Sequence, residues 1–169
     1  MNRYFLNFFI SVVKIYNAVY AVFIRYRYAQ KINPSISKET VISYNHSRIK
    51  GAGERICNAP FKHMYFKADG KITACCRNDM DLFGMISDAS LVELWNSSSI
   101  EKLRENIDNY NLNGGCNFCN TQLESSNFNA FEGRLYDEFF LPVKTQKYPS
   151  EITFEISNQC NLECIMCDG

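Results

Sequence analysis

Between Tyr4 and Ile24 the chain is almost wholly apolar, reading YFLNFFISVVKIYNAVYAVFI. Its polar exceptions, Asn7, Ser11 and Lys14, continue through the small residues Ala18 and Ala21 to Arg25 at helical spacing. They trace one narrow stripe along an amphipathic helix with a very broad apolar face, expected over residues 1–30. As a membrane span the stretch has the required length of about 20 residues. That placement would set Lys14 near mid-bilayer, at a cost of roughly 2.5–3.5 kcal/mol. As a signal peptide it lacks a small-x-small cleavage site. The reading adopted is a helix lying on a membrane or docked on another domain, with its basic side chains snorkelling.

Residues 31–50 (KINPSISKETVISYNHSRIK) hold turn formers without a sustained period and read as a linker, with His46 a solvated loop histidine. A compact region opens at Gly51-Ala-Gly53. His63-Met-Tyr-Phe-Lys67 and Lys71-Ile-Thr-Ala-Cys75 flank Ala68-Asp69-Gly70, where Asp-Gly supplies the positive φ of a hairpin turn. His63 reads as a strand residue. Ser90-Leu-Val-Glu93 is a capping box that opens a short helix through Trp95, a core residue. Ser98-Ser-Ile-Glu101 reads as a second one, opening a longer helix with Ile100, Leu103 and Ile107 on one face. Asn113-Gly-Gly115 ends that helix and delivers the chain to Cys116.

Residues 126–149 form a connector in which Phe128, Phe131, Leu135, Phe139 and Phe140 suggest a helix packed on one face and ended by Pro142. Ile152-Thr-Phe-Glu-Ile156 then alternates strictly, a strand running into Asn158-Gln-Cys160. The expected class is α+β. A hairpin-and-helix domain over 51–125 follows the N-terminal helix, and the strand begins a further unit over 150–169.

Composition narrows the chemistry. Hydrophobic residues at 46% and charged ones at 21% are globular values. The net charge of zero hides an asymmetry: residues 1–38 carry Arg3, Lys14, Arg25, Arg27, Lys31 and Lys38 and no acidic side chain. A basic front suggests an anionic surface for that segment, and nothing points to nucleic acid. The eight cysteines are bunched as Cys57, Cys75-Cys76, Cys116-x2-Cys119 and the trio Cys160, Cys164 and Cys167. Neighbouring C-x2-C thiols chelate metals well and make poor structural disulfides, so a reducing compartment fits better than export.

The most specific pattern is Cys160-x3-Cys164-x2-Cys167 directly after a strand. Three thiolates on one short loop can hold three corners of a 4Fe-4S cube and leave the fourth iron open. Spacing and context resemble the radical SAM superfamily over about residues 150–169. The resemblance implies that the strand is the first of an α/β barrel and that Cys160, Cys164 and Cys167 bind a 4Fe-4S cluster. It implies further that S-adenosylmethionine chelates the open iron and is cleaved reductively to start radical chemistry. Met166 stands where the family often has an aromatic residue near the adenine, and its thioether can pack on a ring face.

A second set, Cys57-x12-Gly70-x4-Cys75 followed by Cys116-x2-Cys119, resembles the SPASM/twitch domain over about residues 55–120. Cys57-Asn-Ala-Pro-Phe61, Asp69-Gly70, Cys75-Cys76, Phe83-Gly84, Ser90-Leu-Val-Glu-Leu-Trp-Asn96 and Leu103-Arg104 carry that resemblance. No cysteine lies between Cys119 and Cys160, which is similar to the shorter, one-cluster twitch form. Cys57, Cys75, Cys116 and Cys119 would then hold a second, auxiliary 4Fe-4S cluster, and Cys76 would be a buried small hydrophobe. Tetrahedral zinc accepts four thiolates equally well. Zinc-ribbon knuckles, however, stand about 15–20 residues apart, and here more than forty residues separate the two C-x2-C pairs.

Two features depart from the family plan: the twitch-like region precedes the barrel strand, and the sequence ends after one strand and one loop. The expectation is a truncated radical SAM protein that shows no turnover as this chain alone. Its partners would be S-adenosylmethionine, a reductant such as a flavodoxin or ferredoxin, and a peptide, sugar or other small-molecule substrate. The expected location is cytoplasmic, with membrane-surface contact through residues 4–25. The rival from another class is a non-catalytic zinc- or iron–sulfur-binding interaction module.

Overall fold

The computed structural model describes residues 3–48, 55–78, 83–137 and 147–157, with side chains from Phe8 onward in the first helix. Helix α1 (Arg3–Ala29) packs on the body through its C-terminal turns. There Ile24 is fully buried, the Tyr20 ring meets His46 edge-on at 6.1 Å, and the Tyr28 hydroxyl donates to Ile36 O at 2.7 Å.

The linker expected over 31–50 contains a helix, α2 (Lys38–Ser47). Ser37 caps it, its hydroxyl accepting from Thr40 N at 3.1 Å. Val41 and Tyr44 are fully buried, and the Tyr44 ring packs edge-on against Phe131 at 5.0 Å. Two apolar positions one turn apart are too few to register as a period, and their partner lies far along the chain. The lead-in is tied down as well: Ser35 N donates to Tyr110 O at 3.0 Å and its hydroxyl to Asn120 Oδ1 at 2.8 Å. His46 is exposed, on the helix rather than in a loop.

Just past α2 lies a buried ion pair. Arg48 Nε and Nη2 donate to the Asp137 carboxylate at 2.8 and 2.5 Å, and Tyr44 donates to the same group at 3.1 Å. Arg48 also donates to Asn45 Oδ1 and Arg55 O. Charges buried this completely persist only when their hydrogen-bonding capacity is met.

The sheet has four strands in the order β3-β2-β1-β4. Strands β1 (His63–Phe66) and β2 (Lys71–Thr73) form the expected antiparallel hairpin, with Tyr65 opposite Thr73 and Phe66 opposite Ile72. Gly70 turns the corner at φ +85°, a conformation that costs glycine no Cβ clash. β3 (Gly84–Met85) extends the sheet beyond β2. β4 (Glu151–Phe154) pairs in parallel with β1, His63 to Glu151 through Phe66 to Phe154. β4 thus lies in the hairpin's sheet, where β1 offers it an edge of backbone partners.

Helix α3 (Ala59–Lys62) is one turn started by Pro60. α4 (Leu91–Trp95) carries the expected Ser90/Glu93 capping box, and α5 (Ser98–Asp108) buries Ile100, Leu103 and Ile107 as the spacing predicts. α3 packs against β1 and α5. The cap of α5 is Ser97 rather than Ser98, and its side chain makes no capping hydrogen bond. Trp95 is fully buried, with the Arg104 guanidinium 4.4 Å from its ring. α6 (Asn117–Glu124) follows, and residues 132–136 form a 3-10 turn in place of the expected helix. In that turn Phe131 and Tyr136 point inward while Leu135 is exposed. Gly51–Gly53, Phe139, Phe140 and Pro142 lie outside the described residues.

His63 gives the sheet a pH response. Its ring is buried on β1, Nδ1 lying 2.7 Å from Ala74 O and Nε2 2.9 Å from the Thr153 hydroxyl. A carbonyl partner makes Nδ1 the donor, so Nε2 accepts from Thr153. Burial lowers its pKa below the ordinary value of 6.5. Above that value both folded and unfolded chains hold it neutral; below it the unfolded chain gains a proton that the native chain resists. Stability should therefore fall as pH drops below about 6.5, by at most ~1.4 kcal/mol per pH unit. Urea denaturation at a series of pH values checks this, and His63→Gln should lose that part of the slope.

Candidate metal centre

Three separate segments bring four thiols to one cavity. Cys57 precedes α3, Cys75 follows β2, and Cys116 and Cys119 occupy the cap and first turn of α6. Positions three apart on a helix share a face, so the C-x2-C pair presents both sulfurs to the same side. All four line a single small cavity. Its other walls are mainly apolar: Ala59, Pro60 and Ala74 from the hairpin side, Leu103 and Ile107 from α5, and Phe131 with Gly133 across the top.

Each sulfur also has an N–H directed at it. Ala59 N donates to Cys57 at 3.4 Å. The Asn78 backbone amide donates to the Cys75 carbonyl oxygen at 3.2 Å. The backbone N–H groups of Arg77 beside Cys75, and of Glu132 and Gly133 beside Cys119, favour the charged form of those sulfurs. Cys116 receives the side-chain Nδ2 of Asn78 at 3.6 Å. Asn78 is fully buried. N–H donors favour sulfur that carries negative charge, as do the first-turn amides of a helix.

Without a metal Cys57, Cys75 and Cys119 are thiols. Burial pushes Cys75 and Cys119 up to about 12 and lifts Cys57 well above the ordinary value, and repulsion among neighbouring cysteines adds to each. The cavity is thus a place where thiolate is unfavourable alone but well supplied with donors once a cation offsets its charge. Metal binding there must release protons.

Cys76 is different. The expectation of a buried small hydrophobe is corrected: its side chain is exposed, and its Sγ donates to Glu132 Oε1 at 3.5 Å. The two cysteines lie in the bend and turn that follow β2, where Cys75 is buried against the cavity and Cys76 faces outward. Partial burial first, and then the Glu132 carboxylate, disfavour a thiolate at that position. All five described cysteines are free thiols, with no disulfide among them.

A zinc ion needs four sulfurs about 2.3 Å from one point. Among the described residues no three His, Cys, Asp or Glu side chains converge closely enough to hold a single ion. Four thiols lining one mainly apolar cavity are a donor set of the kind that holds a 4Fe-4S cluster.

Residues 57–120 match the SPASM iron–sulfur cluster-binding domain. Neither a curated protein nor a solved structure matches the chain. The SPASM match begins at Cys57 and closes one residue beyond Cys119, so it spans all four cavity thiols. SPASM domains bind iron–sulfur clusters, and the donor set fits that group. Phe131 to Gly133, which roof the cavity, lie beyond the matched residues; no spacing rule points to them, nor to the Asn78 amide. Cys160, Cys164, Met166 and Cys167 lie outside the described residues.

The roof depends on the absence of a side chain at Gly133. A Cβ there would lie 2.4 Å from Phe131 Cζ and 3.2 Å from Cys57 Cβ. Gly133→Ala should therefore destabilise the metal-free chain by about 1–3 kcal/mol and reduce the iron taken up on anaerobic reconstitution. Chemical denaturation and iron analysis check both, and a variant as stable and as readily loaded as the parent contradicts the close approach.

Proposed function

We propose that this chain is an iron–sulfur protein of the radical SAM type, built around two separate thiol sets. Cys57, Cys75, Cys116 and Cys119 would hold one 4Fe-4S cluster as its complete protein ligand set. Cys160, Cys164 and Cys167 would hold a second with one iron left to S-adenosylmethionine, Met166 packing near the adenine. The observation that carries the reading is the single apolar cavity lined by four thiols, each facing an N–H donor, inside residues that match a cluster-binding domain.

When bound, reduced and paired with S-adenosylmethionine, such a three-thiol cluster supplies the electron for homolysis of the cofactor's carbon–sulfur bond. The chain's own residues have other tasks. The apolar walls from Leu103, Ile107 and Phe131 keep water from the auxiliary sulfurs, and the N–H donors set how easily charge is held there. β4 joins that domain to the trio, since it pairs with β1 and leads toward Cys160. Its Ile152, Phe154 and Ile156 stay exposed, alternate positions that a further layer of an α/β unit would cover. An electron donor such as a flavodoxin or ferredoxin, a cytoplasmic setting and a peptide, sugar or small-molecule substrate complete the proposal.

Anaerobic reconstitution followed by iron and sulfide analysis separates the thiol sets. The parent chain should take up about eight of each, and chains lacking either set about four. S-Adenosylmethionine should alter the electron paramagnetic resonance signal of the reduced chain only while Cys160, Cys164 and Cys167 are present. A colourless protein with stoichiometric zinc would instead favour a non-catalytic interaction module.

A further inference from the structure

Helix α1 has an apolar face that no other described residue covers. Phe8, Val12, Ile15, Val19, Val22 and Tyr26 succeed one another at alternating intervals of four and three, which places them on one side of the helix. All six are exposed, from 46% at Val12 to 68% at Phe8. The stripe runs about 27 Å along the axis. The stretch Phe8–Ala29 is also long and apolar enough to cross a membrane by length and composition.

The way α1 meets the body decides between crossing and lying flat. Tyr20, Ile24 and Tyr28 dock it on the opposite side, so over Val22–Tyr26 the helix has protein on one flank and the bare stripe on the other. A crossing helix would draw that docked flank, with His46 and the Ile36 backbone, into hydrocarbon. A helix parallel to the surface keeps the body in water and buries the stripe alone. Charge identifies the surface. Residues 1–38 hold six basic side chains and no acidic one, and Lys14 and Arg25 lie on the polar stripe beside the apolar face. Pairing two copies through α1 would bring these cations together with no acidic partner in the segment.

We infer that α1 lies in the plane of a bilayer bearing anionic phospholipid headgroups. The Phe8–Tyr26 stripe sits below the headgroups, Lys14 and Arg25 reach their phosphates, and the thiol-lined domain stays on the aqueous side.

Flotation of the full chain with phosphatidylcholine vesicles, with and without phosphatidylglycerol, tests this. The chain should float with the mixed vesicles and bind the neutral ones more weakly. The pair Ile15→Glu and Val19→Glu should lower the floated fraction at least about tenfold, with the circular dichroism spectrum unchanged because both positions are exposed. Lys14→Glu with Arg25→Glu should remove the preference for anionic lipid, and alkaline carbonate should release the bound chain. Three results would overturn the inference: flotation indifferent to the paired glutamates, retention through carbonate as for a spanning helix, or a lipid-independent dimer abolished by the same pair.

Discussion

Holding four sulfurs from three distant segments around one water-poor space is the constraint on which the rest of this structure depends. Buried thiolates repel one another and lack solvation, and here burial keeps Cys75 and Cys119 protonated up to about 12. The fold answers with direction rather than countercharge. Ala59 N and the Asn78 side-chain amide donate to the sulfurs of Cys57 and Cys116, and backbone amides at Arg77, Glu132 and Gly133 favour charge on Cys75 and Cys119. The nearby carboxylate of Glu132 is given to Cys76 on the outside. A cluster with cationic irons turns that arrangement from costly to favourable.

The remaining elements serve the walls. The hairpin sets Cys75 at the end of β2, α5 contributes Leu103 and Ile107, and α6 presents Cys116 and Cys119 on one face. The roof is held from behind. Tyr44 of α2 packs on Phe131, and the Arg48–Asp137 pair anchors the backbone just past the 3-10 turn. Replacing such a pair by apolar residues is often neutral, but removing one partner strands a buried charge. Residues 31–48 thus act as a buttress for the centre, stitched to the α5–α6 connection by Ser35.

The parts legible in the sequence were those governed by local rules. Asp69-Gly70 announced the hairpin, Ser90 and Glu93 announced α4, and the periodic Ile100, Leu103 and Ile107 announced the buried face of α5. The four cavity thiols were legible through spacing and resemblance together. What escaped depends on contacts between residues far apart in the chain. Helix α2 has little apolar surface of its own, Val41, Ile42 and Tyr44, so its stability comes from α1, Phe131 and Asp137. Phe131–Gly133 join the cavity because the chain returns across it, and Gly133 is needed only because Phe131 and Cys57 approach from two sides. Cys75 and Cys76 sit in a turn after β2, and two adjacent cysteines alone do not say which faces the core.

Native mass spectrometry on an anaerobically reconstituted chain with Cys160, Cys164 and Cys167 all replaced by alanine addresses the four-thiol centre directly. The mass should rise by one intact 4Fe-4S unit, and further replacement of Cys75 by alanine should lower that occupancy, whereas Cys76→Ala should leave it unchanged. A gain of a single zinc ion, no gain at all, or an equal loss of occupancy from Cys76→Ala would contradict the account.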